Sequence, residues 1–142
     1  MINETFNFYD IYCNYKEFSS EIESDFNRQY FMPCLKDNYN IYAVTHEYGH
    51  LIHNFLINNE LGNSKTKREY DLWLRRAEDR IYTIAFEDNV KLSIKDLLHM
   101  ASEYSRLSSA EFFAECFANS QLGRNNALGN AIIKFLKEKG IE

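Results

Sequence analysis

A chain of 142 residues, 45% hydrophobic and 15% aromatic, is too apolar to stay disordered and long enough to bury one core, so residues 1–142 are expected to form a single domain. Sixteen basic and 21 acidic residues give a net charge of −5, which argues against a nucleic-acid partner, because that needs a basic face. The sequence shows no membrane-length apolar run and no signal peptide at Met1-Ile2-Asn3-Glu4-Thr5, and its three scattered cysteines, Cys13, Cys34 and Cys116, suit free thiols better than disulfides or a cysteine zinc site; a cytoplasmic location is the expectation.

Along the chain, residues 2–8 read as a short strand with Phe6 and Phe8 on one side. Ile11, Tyr15, Phe18, Ile22 and Phe26 recur at spacings of four and three and predict an amphipathic helix over 9–29. Pro33, the only proline, falls in the following loop, and 30–38 is a candidate second strand. A helix from about Asn40 to Asn58 comes next, with Ile41, Val44, Leu51, Ile52 and Phe55 as its apolar stripe. Gly49 within it allows another backbone to approach closely.

That helix carries His46-Glu47-Tyr48-Gly49-His50, an HExxH pattern. Residues four apart on a helix share a face, so both imidazoles can grip one zinc ion. Glu47, rotated by one residue, is placed to take a proton from the attacking water. The alternative is a chance match on an ordinary helix with two structural histidines. His53 follows His50 by three and shares the face. It could contact substrate, hydrogen-bond a neighbouring ligand or compete for metal; a site-lining role that binds no metal is set against a surface histidine. The longer HExxHxxGxxH pattern is ruled out, because its third histidine would fall on Leu56.

Residues 59–66 are polar and contain Gly62, so they read as a loop. Tyr70, Trp73, Leu74, Ala77, Ile81 and Ile84 mark a further helix, with Arg75, Arg76, Glu78, Asp79 and Arg80 on its wet side. Residues 86–92 are the last strand candidate. Ser93 with Asp96 forms a capping signature for a short helix to about Met100, in which His99, beside Leu97 and Leu98, reads as a satisfied structural residue. Ser108 and Ser109 both suit the N-cap of the next helix, which puts Glu111 in its first turn and ends before Gly123. A last helix carries Ile132, Ile133, Phe135 and Leu136 and stops at Gly140.

A catalytic zinc site needs three protein ligands and one open position, so HExxH requires a partner elsewhere. Glu111 and Glu115 lie one turn apart on a helix with Phe113, Phe117 and alanines on its apolar face. Carboxylates beside so much apolar surface are costly unless paired, hydrogen-bonded or metal-bound. The alternative is two solvated glutamates on an amphipathic helix. The two glutamates are chemically alike, and composition does not rank them.

HEYGH followed by Ala110-Glu111-Phe112-Phe113-Ala114-Glu115-Cys116-Phe117-Ala118 resembles the lethal-factor-like zinc metallopeptidases, within the gluzincins. The resemblance implies His46, His50 and Glu111 as zinc ligands. It places Tyr104, seven residues before Glu111, over the metal as an oxyanion donor, and gives Glu115 the role of steadying a bound imidazole. At His53 these families often carry an acidic residue. A looser similarity over residues 30–138 is to peptidase-like modules of phage minor head proteins, which implies a phage or host protein as partner.

The expected fold is mainly α (α+β): a minimal zincin lobe with an active-site helix, a third-ligand helix and a small sheet from residues 1–8, 30–38 and 86–92. The expected activity is zinc-dependent endopeptidase hydrolysis of a protein or peptide substrate, with Glu47 as general base. The alternative is a phage head or host-interaction module that retains zinc without proteolysis. A toxin-like protease would share the chemistry and differ in substrate.

Overall fold

Helices dominate the computed structural model, which describes residues 22–141. After a helical stretch over 22–27 and a 3-10 segment, Lys36–Ile41, come α1 (Tyr42–Leu61), α2 (Lys67–Asp88), α3 (Ile94–Met100), a 3-10 turn at Tyr104–Arg106, α4 (Ser109–Gln121) and α5 (Ala127–Glu138). Local chemistry fixes the ends. Gly62, at φ 75°, stops α1. Thr66 and Glu69 form a reciprocal capping box at the start of α2, and Ser93 and Asp96 form the anticipated one at α3. Ser108, not Ser109, caps α4 by accepting from the Glu111 amide at 3.1 Å. Asn126 caps α5 through the Leu128 and Gly129 amides.

The central element is α4, packed against α1, α2 and α5. Every residue from Phe112 to Asn119 is buried, so this stretch is enclosed on all sides, and the alternative of two solvated glutamates on an amphipathic helix does not hold for Glu115. Phe112 and Phe113 join Trp73, Ile81, Ile132 and Phe135 in the main core. A smaller apolar cluster, with Phe26, Cys34, Tyr42, Ala118 and Leu122, fastens the chain around residue 32 to the start of α1 and the end of α4.

Several expectations are corrected. No strand occurs among the described residues: 30–38 is a bend and loop leading into 3-10 structure, and 86–92 is the end of α2 with a turn. The candidate strand at 2–8, most of the helix predicted over 9–29, and Cys13 lie outside the described residues; of that helix, 22–27 is helical. The buried face of α1 is Tyr42, His46, Gly49, His53, Leu56 and Ile57. The expected stripe is largely outside: Ile41 and Phe55 are exposed, and Val44, Leu51 and Ile52 are half-buried. The apolar and histidine faces compete for one core, and the histidine face wins because its polar atoms find partners on α4. His99 is exposed in the last turn of α3 and not part of the core.

Gly49 is where α1 meets α4. A Cβ there would lie 2.9 Å from Ala114 Cα, 3.2 Å from Phe117 Cβ and 3.3 Å from the Ala114 carbonyl oxygen. The obstruction is mostly backbone and so does not yield by a rotamer change. Gly49→Ala gains about 1 kcal/mol of helix propensity but overpacks a contact with backbone, at the upper end of the usual range, about 2–3 kcal/mol. The expected net of about 1–2 kcal/mol lowers the melting temperature by about 3–7 °C, measured by circular dichroism on metal-free protein. An unchanged or raised value would show that α1 and α4 are free to separate.

Candidate metal centre

The side chains of His46 and His50 leave α1 toward the first turn of α4, with ring centroids 5.0 Å apart. Glu111 stands opposite. Its Oε1 lies 2.6 Å from His50 Nε2 and its Oε2 lies 3.4 Å from His46 Nε2. Ligand-atom positions of His46, Glu47 and His50 also fall within 4.8 Å of one another. Thus α1 supplies two imidazoles and a carboxylate, and α4 brings another carboxylate, Glu111, from 65 residues beyond His46.

Glu115, one turn further along α4, is in a different environment. It is fully buried, and both oxygens are saturated. Oε1 accepts from the Met32 amide (3.0 Å) and Ser102 Oγ (2.7 Å). Oε2 accepts from Tyr42 Oη (2.6 Å) and His46 Nδ1 (2.9 Å). A carboxylate offers about four lone-pair sites, so none is left for a cation. Because Glu115 only accepts, His46 Nδ1 must carry a proton and donate it. The lone pair of a neutral His46 ring is then on Nε2, turned toward Glu111.

That Nε2 atom is the one buried side-chain polar atom among the described residues without a hydrogen-bond partner; its 3.4 Å approach to Glu111 is ionic proximity, not a well-formed bond. Two ligands about 2.0–2.1 Å from one tetrahedral zinc sit about 3.4 Å apart. The His46–Glu111 spacing therefore suits a shared ion, and the donor set of two imidazoles and a carboxylate suits zinc. The His50–Glu111 contact is a direct hydrogen bond, closer than two ligands of one ion would sit.

The electrostatics favour positive charge at this point. Burial pulls the His46 pKa down, but the Glu111 and Glu115 carboxylates outweigh it and hold the ring up to about 9. Burial raises Glu111, yet its contacts with His46, His50 and Tyr104 keep its carboxyl well below the usual carboxylate range. A metal cation on Nε2 would satisfy the same carboxylates that otherwise hold a proton there.

Tyr104 lies in the 3-10 turn before α4, with its ring 5.2 Å from that of His46 and 5.4 Å from Tyr30. Burial and the adjacent Glu111 push its phenol above the ordinary tyrosine range, so it stays a donor. Its place is fixed by backbone pairing: the Glu103 amide donates to the Gln29 carbonyl at 3.1 Å and the Tyr104 amide to the Tyr30 carbonyl at 3.0 Å. His53 is buried, which removes the surface alternative, and its Nε2 lies 2.9 Å from His50 Nδ1. Burial first, and then the neighbouring His50, lower its pKa to about 3, so it is neutral.

The structure thus brings together His46, Glu47, His50, His53, Tyr104, Glu111 and Glu115, all singled out in the sequence. Sequence reasoning missed Tyr42, Ser102, Asn54 and Tyr70. Tyr42 and Asn54 had a signal, being one turn before His46 and one turn after His50 on the same helix; Ser102 and Tyr70 meet the site only through tertiary packing. A groove of about 660 Å³ lies elsewhere, among α2, α5 and the end of α1, where Arg80 is paired with Glu138 and Lys139 with Glu60. No described helix is long and apolar enough to cross a membrane. Comparisons with protein-family models, characterised proteins and solved structures gave no match to this chain.

Proposed function

We propose that this protein is a zinc-dependent endopeptidase of the lethal-factor-like gluzincin type. The observation that carries the reading is the partnerless His46 Nε2, buried beside His50 and facing Glu111, while Glu115 is fully committed to other donors. His46, His50 and Glu111 would hold the ion. Zinc, when bound, supplies positive charge that polarises a carbonyl and acidifies water.

The remaining chemistry falls to the chain's own residues. Glu47 accepts a proton on a carboxylate oxygen as water oxygen bonds to the scissile carbonyl carbon. It then returns that proton to the amine nitrogen as the C–N bond breaks. Tyr104 donates its hydroxyl hydrogen to the oxygen that gains negative charge. Glu115 holds the His46 ring in its Nδ1–H form and His53 contacts His50. With no strand edge among the described residues, added-strand binding of a substrate peptide is not available to this part of the chain. That observation favours a second reading, a zinc-holding interaction module without proteolysis. A phage or host protein is the partner class the resemblance supplies for either.

Metal content tests the centre first. Purified protein should carry about one zinc per chain by plasma emission spectroscopy. His46→Ala and Glu111→Ala should each lose it, and His99→Ala, on the exposed end of α3, should retain it. One zinc per chain in all three variants would end the assignment. Incubation with a broad peptide library, read by mass spectrometry, then separates the two readings: cleavage dependent on zinc supports the peptidase, and tight zinc without cleavage supports the module.

A further inference from the structure

We propose that Asn54 and Tyr70 fix the tautomer of His53, and through it the orientation of His50, so that His50 presents Nε2 to the metal centre. The inference rests on the zinc reading above and extends it to residues on two helices. His53 and Asn54 are adjacent on α1, and Tyr70 reaches them from the first turns of α2.

The argument follows the hydrogen atoms. Tyr70 Oη lies 2.6 Å from Asn54 Oδ1 and 3.4 Å from His53 Nδ1. A phenol has one proton, and the short contact to a carbonyl-type oxygen takes it. Tyr70 can then only accept from His53, so His53 Nδ1 carries the hydrogen. A neutral imidazole has a single N–H, so His53 Nε2 bears the lone pair. That nitrogen lies 2.9 Å from His50 Nδ1 and accepts its hydrogen. His50 Nε2 is then the ligand atom, directed at the Glu111 side of the site; without metal, the hydrogen in its 2.6 Å contact with Glu111 Oε1 occupies the place an ion would take.

Packing keeps the chain of contacts in place. His53 is buried with its ring edge-on to Phe113 at 5.4 Å and to Tyr70 at 6.1 Å. A ring confined this way has little freedom to flip and exchange its two nitrogens. The neutral imidazole does for His50 what the Glu115 carboxylate does for His46. It accepts the Nδ1 hydrogen, and it adds no negative charge beside Glu47, Glu111 and Glu115. His53, Tyr70 and Asn54 are positioning residues; none touches the reacting atoms.

Two measurements test this. Long-range ¹H–¹⁵N correlation spectra of the histidine rings, on metal-free and zinc-loaded protein, should show His53 as the Nδ1–H tautomer in both. Tyr70→Phe should convert it to a mixture, because the Nδ1 hydrogen loses its acceptor. Chelator competition should show zinc binding about 10–100-fold weaker in His53→Leu and restored to within about threefold in His53→Gln, whose amide oxygen can accept from His50 Nδ1. A merely structural role for His53 would not distinguish an acceptor from an apolar side chain. His53 found as the Nε2–H tautomer in the parent protein would overturn the proposal. So would a folded His53→Leu chain that binds zinc within about twofold of the parent. If the parent binds no zinc, the hydrolase reading fails, and the tautomer in the metal-free protein decides this inference by itself.

Discussion

Glu47→Gln should fold and hold zinc like the parent chain while losing about 10²–10⁴-fold in cleavage rate. The two side chains have nearly the same shape, but an amide cannot accept the proton that water gives up. Glu47 sits between the two histidines in sequence, half-buried, with its carboxylate close to both rings. The near-isosteric change keeps the side chain's shape and size and removes only its ability to take up a proton, so it separates chemistry from assembly. The measurement is a matched pair: zinc per chain, and the rate on the peptide that the parent cleaves fastest. A rate within threefold of the parent at full zinc occupancy would remove Glu47 as the base. Loss of zinc along with activity would give it a binding role in place of a proton-transfer one.

Glu115→Ala should cause the largest loss of stability of any single change at the centre. Four donors converge on this buried carboxylate: the Met32 amide, the Tyr42 and Ser102 hydroxyls and His46 Nδ1. They come from the loop after residue 30, from two positions on α1 and from the segment before the Tyr104 turn. Removing their acceptor strands several buried donors at once, whereas the carboxylate's own desolvation cost is recovered. Breaking a buried pair from one side costs about 3–5 kcal/mol, which corresponds to a melting temperature about 10–17 °C lower for a chain of this size. Zinc affinity should also fall about 10–100-fold, as His46 loses the partner that orients it. Glu111→Ala makes the contrast. Glu111 is partly exposed and touches only the site residues, so it should abolish zinc binding with a smaller shift in the melting temperature of the metal-free protein. Thermal melts in the presence of chelator check both. A Glu115→Ala melt within about 3 °C of the parent would show that the four contacts are not holding these segments together.

These two outcomes also mark where the residues themselves were informative. The 46–50 spacing, with a pitch of 3.6 residues per turn, was enough to put both histidines on one face. The serine at 108 and the glutamate at 111 sufficed to start α4 and to put Glu111 in its first turn. The Ser93–Asp96 box and the glycines at 123 and 140 bounded helices in the same local way. Such features are legible because each depends on contacts within a few residues. The small sheet was not: it was expected from the family resemblance, and 30–38 and 86–92, each carrying an aspartate followed by an asparagine, are loop, turn and helix end among the described residues.

What the sequence by itself determined is the chemistry on offer: two imidazoles and a base on one helix, two carboxylates one turn apart on another, and a phenol seven residues before the first. What only the tertiary structure decided is how those groups are deployed. Glu111 and Glu115 are identical side chains on one helix, and no local property distinguishes them. The difference arises because Met32, Tyr42, Ser102 and His46 crowd one carboxylate with donors, while the other is left beside two Nε2 atoms at the edge of the core. The same holds for α1. Its apolar stripe and its histidine stripe are both readable in the sequence. The histidine face turned inward because Gly49 seats against Ala114, and because a buried polar group costs least where its partners are already in place.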